Sequence, residues 1–376
     1  MQLTDQHPLV AHATRDSRLI RASLGERPDL TPVWFMRQAG RSLPEYRALR
    51  ATQSMLDACR DPALVSEITL QPVRRHGVDA AIFFSDIVVP LVLAGLDVQI
   101  EAGRGPVFAE PVRTARDVAR VTAIDPELVR ERAEPIADAV TRTTLLLADE
   151  SATRGEPIPL IGFAGAPFTL AAYLVEGGPS KDHLRARRLI HEDPAAWEAL
   201  TGWLAAVSGV FLQVQVAAGA SSVQLFDSWA GSLAPAVYRS AALPASRAAL
   251  EYVRALRPPT GAGMSHVPLA HFGVGTGDLL ADIATLDLDV VGIDHRVSLD
   301  EAVARLATAV TVQGNLDPAL LFAPPHVLDA ALDRILAEGR AARAHIVNLG
   351  HGVPPETDPD VLTRLVRRVH ERPDAA

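Results

Sequence analysis

The chain has 376 residues, 48% hydrophobic and 22% charged, enough apolar side chain for one large barrel or two average domains. Its net charge of −9 argues against a nucleic-acid coat and against binding to an anionic membrane surface, though it leaves room for a locally basic pocket. Cys59 is the only cysteine, so an intrachain disulfide and a cysteine-built zinc or iron–sulfur site are both excluded.

The N-terminal stretch mixes Asp5, Arg15, Asp16, Arg18 and Arg21, which leaves no apolar core for a secretory signal. Residues of about 1–25 are expected to form a helical extension. The longest apolar run, Ile87 to Leu96, contains Pro90 and is too short to span a bilayer, so no membrane insertion and a cytoplasmic setting are expected. Lys181 is the only lysine, so the many arginines reflect base composition, and no single Arg stands out by type.

Eight apolar runs follow one another, each ending in Gly or a polar residue. They are Val33–Met36, Ala81–Ser85, Leu160–Phe163, Val223–Phe226, Val267–Phe272, Val290–Ile293, a short Val312–Gln313, and Ile346–Leu349. They are continuous rather than alternating, which is the pattern of strands buried on both faces of a parallel sheet. Amphipathic stretches such as Pro194–Ala218 and Leu299–Ala309 lie between them, with Asp193 and Ser298 placed as N-caps. Between the second and third runs, Val98 to Glu101 and Gly103 to Phe108 read as a small hairpin within an insertion. The expected fold is α/β: a single (β/α)8 (TIM) barrel over residues 1–376, with the N-terminal extension, the insertion, and a frayed tail at about 372–376.

In such a barrel the site forms at the C-terminal ends of the strands. After the first run come Arg37, Gln38, Ala39, Gly40 and Arg41. If this segment begins a helix, Arg37 and Arg41 share a face and can hold carboxylates bidentately; a solvated basic helix fits the spacing equally. Asp86 follows the second run in apolar company, where it would accept hydrogen bonds from ligand N–H groups, or instead serve as an N-cap or ion-pair partner. Tyr173, Ser228 and His351 follow later runs. His351, between Gly350 and Gly352, sits where no structural demand calls for an imidazole. Gly273 to Gly277 could cradle an anion before a helix but lacks the rest of a nucleotide-binding motif. His266 and His271 have no matched carboxylate or thiolate, and no metal is expected.

Taken together, these strings resemble the uroporphyrinogen decarboxylase family. The resemblance rests on Pro32 to Arg41 (Pro-Val-Trp-Phe-Met-Arg-Gln-Ala-Gly-Arg), on Gly162 to Leu170 with Tyr173 and Glu176-Gly177-Gly178, and on Phe83 to Ile87. It extends through Leu225 to Gly231, Gln313 to Pro318 and Asn348 to Gly352, in family order over roughly residues 20 to 365. His295 stands where the family often carries Trp. The resemblance implies a homodimeric barrel that removes carbon dioxide from the four acetate arms of uroporphyrinogen without metal or organic cofactor. It also implies that Arg37 and Arg41 bind substrate carboxylates, with Gln38, Ala39 and Gly40 supplying neighbouring contacts. Asp86 would accept the pyrrole N–H groups, and Tyr173, Ser228 and His351 would be further contacts, with Asp86, Arg37, Tyr173 and His351 nearest the chemistry.

Protonating a pyrrole ring carbon makes a cationic electron sink, and a fixed carboxylate such as Asp86 would stabilise that charge more in the transition state than before it. The proton donor is left among Arg37, water and a substrate carboxyl. One rival is a corrinoid or thiol methyltransferase, which would hold zinc through His and Cys; Cys59 stands alone and outside every strand end. Another is a non-catalytic tetrapyrrole binder, which would have no use for Asp86.

Overall fold

The computed structural model describes residues 2–101, 103–306 and 310–372. Its main sheet, among the described residues, is parallel and seven-stranded. The strands are β1 (Ala81–Ile82), β4 (Leu160–Gly165), β5 (Ser222–Asp227), β6 (Leu269–Gly273), β7 (Val290–Gly292), β8 (Thr311–Leu316) and β9 (His345–Leu349), in the order β1-β4-β5-β6-β7-β8-β9. Between β1 and β4 an antiparallel hairpin pairs β2 (Val98–Glu101) with β3 (Gly105–Phe108), Val98 opposite Phe108, as the sequence suggested. The strands of the main sheet are buried along their length, with Phe226 half-buried, which explains the unbroken apolar runs.

The sheet is curled. Gln313 on β8 donates its side-chain amide to Gln224 on β5 at 2.9 Å, although three inter-strand steps, about 14 Å in a flat sheet, separate those strands. Gln313 also accepts the Trp34 indole N–H at 3.0 Å, so one polar chain crosses the apolar interior.

The first expected strand, Val33–Met36, shrinks to a single parallel bridge between Val33 and Val347 on β9. Side chains take the backbone amides that a ladder would have used. Val33 N–H goes to Asp79 Oδ2 (2.7 Å), Phe35 N–H to Gln38 Oε1 (2.9 Å) and Met36 N–H to Asn348 Oδ1 (3.1 Å). Asp79 N–H in turn donates to the Val33 carbonyl, so this segment touches β9 on one side and the lead-in to β1 on the other. The second run also ends early, at Ile82, because Phe84 N–H turns to the Thr69 hydroxyl. The seventh run, expected to stop at Gln313, is longer, six residues from Thr311 to Leu316, since Gly314 and the polar Asn315 continue it and Asn315 is buried in the ladder.

Helix is confined at the N-terminus to Arg18–Ser23, capped by the Ser17 hydroxyl, with turns before it rather than a helical extension through residue 25. The Pro194–Ala217 helix starts on the expected Asp193 cap. It is the one described helix long and apolar enough to cross a membrane, and 83% of its most apolar stretch is buried against the protein, as in a core helix. The other amphipathic stretch is helical over Leu299–Leu306; its expected last residues, 307–309, and the expected frayed tail at 373–376 lie outside the described residues.

Candidate active site

The Arg37 to Arg41 segment is a turn, not the start of a helix, which corrects the expectation of a shared helical face. Arg37 adopts φ +61°, an uncommon left-handed conformation for a residue with a side chain, and helix resumes only at Pro44. Gln38 holds the turn in place. Fully buried, it accepts Phe35 N–H and donates to the Ala80 carbonyl at 3.0 Å. Its amide is therefore committed to the fold and is unavailable as a ligand contact. Gly40 comes so close to the Arg37 carbonyl, 2.8 Å from where a Cβ would stand, that a side chain there would collide. Ala39 is half-buried, and Arg37 and Arg41 are exposed.

The Arg37 side chain lies across Gly352, just beyond β9, with its Cδ 2.4 Å from where a Cβ on that glycine would be. Its charge helps lower the His351 imidazole, after burial and ahead of the neighbouring His295 and Arg296. Burial pushes the Asp86 carboxyl up, opposed by the Val88 N–H at 3.0 Å and by the Arg37 charge. Asp86 is crowded by protein yet keeps contact with solvent, the combination expected at the floor of a cleft. Tyr173, on the Pro167–Glu176 helix that follows β4, is pushed up to about 12 by burial first and by the Asp86 charge second, with Arg37 opposing. Arg37, Asp86 and Tyr173 thus lie within one another's electrostatic reach, and His351 lies within that of Arg37. Of the alternatives left open for Asp86, a local one is present: one carboxylate oxygen accepts the Val88 N–H, two residues on, just before the Val89–Ala94 helix.

Ser228 follows β5 and is half-buried at the same rim. Around this geometry the comparisons with known proteins agree. The family model described as uroporphyrinogen decarboxylase (URO-D) matches residues 14–372. The chain belongs to the uroporphyrinogen decarboxylase family. It is 58% identical to the uroporphyrinogen decarboxylase of Leifsonia xyli subsp. xyli (strain CTCB07) over 98% of both chains. It is 56% identical to that of Arthrobacter sp. (strain FB24), over 95% of this chain and 97% of the other. Among solved structures, a methyltransferase from Methanosarcina mazei superposes with a TM-score of 0.73 at 16% identity, covering 95% of this chain and 98% of that one, which is a likeness of fold.

One residue close to Asp86 was set aside on its sequence position. Cys59, read as remote from every strand end, is buried behind the Ser85–Asp86 loop, close enough that the Asp86 charge adds to burial in pushing its thiol up. The Gly273 to Gly277 loop does cradle an anion, but it is the chain's own: Asp294 accepts the Gly275 N–H and pairs with Arg296 at 2.6 Å. His266 is held by Asp289 at 2.7 Å, whose hydrogen bond raises it, while His271 is buried inside β6. Among the described residues no three His, Cys, Asp or Glu side chains converge as a metal site. His295 packs backbone to backbone against Gly350, with its amide 2.3 Å from where a Cβ on that glycine would stand, so this position shapes the His351 turn.

Proposed function

We propose that this chain is an enzyme that decarboxylates the four acetate side chains of uroporphyrinogen III to methyl groups, giving coproporphyrinogen III on the tetrapyrrole route to haem, with no cofactor. The observation that carries the reading is Asp86, a partly buried carboxylate that feels the charge of Arg37 and acts on the Tyr173 phenol. For each arm, a proton added to the pyrrole ring carbon makes an iminium that accepts the electron pair of the breaking C–CO2 bond. Carbon dioxide leaves, the exocyclic methylene takes a proton to become methyl, and the ring carbon returns its own. Asp86, ionised and already oriented, accepts the pyrrole N–H groups and offsets the cation as it develops.

Arg37 and Arg41 hold substrate carboxylates and register one arm at a time, with the backbone of Gln38, Ala39 and Gly40 lining the same turn. Tyr173 and Ser228 contact the macrocycle from beyond the β4 and β5 ends, and His351 contacts it from beside Arg37. The frame we infer is a single (β/α)8 barrel domain in which the Val33 segment acts as the eighth stave, supported by its bonds to Val347 and Asp79. The hairpin-bearing segment after β1 is an insertion in that frame, and the residues before Val33 are an extension. A cytoplasmic homodimer is part of this reading. The test is anaerobic incubation with uroporphyrinogen III, then oxidation and chromatography of the porphyrins. Four-carboxylate product without added cofactor supports it; substrate that binds and returns unchanged favours a tetrapyrrole carrier.

A further inference from the structure

Ser228 and Tyr173 belong to different elements, yet one buried hydroxyl ties them together. Thr169 is fully buried on the Pro167–Glu176 helix, one turn before Tyr173. It donates to Asp227 Oδ1 at 2.7 Å and accepts the Trp229 N–H at 3.3 Å, gripping the chain on both sides of Ser228. The Trp229 indole then stacks on the Tyr173 ring, with centroids 3.8 Å apart and planes at 25°, and the buried His183 ring packs on the same indole at 4.3 Å.

The arrangement is costly for the fold. Asp227 is fully buried, and its second oxygen has no hydrogen-bond partner among the described residues, lying 3.8 Å from His271 Nε2. Both His271 ring nitrogens and the buried Tyr238 hydroxyl are likewise unpartnered among the described residues. An apolar cluster of the same shape would serve stability better, so a carboxylate kept there under the rim calls for a geometric reason.

We propose that Thr169 and Trp229 are positioning residues for the decarboxylation. Thr169 sets Ser228 against the helix that carries Tyr173, and Trp229 fixes the Tyr173 ring over the cleft floor. The proposal rests on the functional reading above. Neither residue touches substrate in this scheme; both act through Tyr173 and Ser228.

The test compares Thr169→Val and Trp229→Leu with the conservative Thr169→Ser and Trp229→Phe. The first pair is expected to lose about thirtyfold in kcat with KM moving less than about threefold, because the arginines across the mouth still hold the carboxylates. The conservative pair is expected to stay within about threefold of the parent. A spectrophotometric titration follows the Tyr173 phenol, identified by its loss in Tyr173→Phe. In Trp229→Leu that phenol should titrate lower, toward the ordinary value of about 10. Full kcat in Trp229→Leu, an unmoved phenol, or equal losses in the conservative variants would overturn the proposal. Trp229 is half-exposed, so its variants decide the matter if Thr169→Val does not fold. If the parent protein released no carbon dioxide, the functional reading would fall while the titration still judged the positioning.

Discussion

Replacing Gly352 with alanine moves Arg37 without deleting it. The added methyl would stand 2.4 Å from Arg37 Cδ, 2.7 Å from Cγ and 3.0 Å from Nε. Ordinary contact begins at about 3.4 Å, so the side chain must retreat by about 1 Å (3.4 − 2.4). The backbone cannot absorb that shift: Arg37 sits at φ +61°, and Met36 before it is pinned by Asn348 Oδ1 and by Val353 N–H at 2.8 Å. Gly352 itself lies outside the left-handed region, so alanine strains nothing but the arginine. A misplacement of about 1 Å can cost up to about a hundredfold. The expected loss in kcat/KM is therefore about 10- to 100-fold, or about 1.4–2.7 kcal/mol. Stability should change by less than about 0.5 kcal/mol, because an exposed side chain yields. Initial rates with uroporphyrinogen, paired with thermal melts, measure both. Undiminished kcat/KM at unchanged Tm would mean that the placement of the Arg37 guanidinium is immaterial.

Gly231→Ala should act on the fold instead. Its Cβ would come within 2.3 Å of the Val274 carbonyl oxygen and 2.6 Å of that of Gly275, both backbone, so a destabilisation of about 1–3 kcal/mol is expected in denaturant melts. A parental melting curve would show that the loop after β5 is not wedged there. The raised Asp86 carboxyl gives two pH-linked expectations. Catalysis needs it ionised, so the acid limb of kcat/KM should lie above the ordinary carboxylate value of about 4, and a limb at or below that value would count against the role. For stability the sign is opposite. A carboxyl whose folded pKa exceeds its unfolded one favours the fold while protonated, below the unfolded value, and that contribution is lost as pH rises through the folded one. Asp86→Asn, which keeps an acceptor for Val88 N–H, should therefore raise Tm at neutral pH, and a lowered Tm would show the charge to be well compensated.

Much of the sheet was legible because strands buried on both faces leave continuous apolar runs, as in β4, β5 and β9. The reading failed where side chains replaced the backbone ladder. Val33 to Met36 has the composition of a strand, but Asp79, Gln38 and Asn348 take three of its amides, and no local pattern encodes the partners 46 and 312 residues away. The candidate site residues Arg37, Asp86, Tyr173 and His351 were picked out by their place after apolar runs and by family strings. What holds them was not. Gln38 reads as a ligand contact until its burial is seen, Gly352 as a flexible turn until Arg37 lies on it, and Thr169 as one more helix residue until it bridges Asp227 and Trp229. Polar residues that serve geometry look, in sequence, like polar residues that serve substrate.

The division of labour between the arginines and Asp86 is tested most directly by measuring substrate binding and turnover separately in Asp86→Asn. Equilibrium binding of uroporphyrinogen under anaerobic conditions should stay within about threefold of the parent, since Arg37 and Arg41 remain, while kcat falls by about 10²- to 10³-fold. An Asp86→Asn protein that turns over at the parental rate, or one whose activity falls only as far as its binding does, would contradict the assignment of the catalytic charge to Asp86.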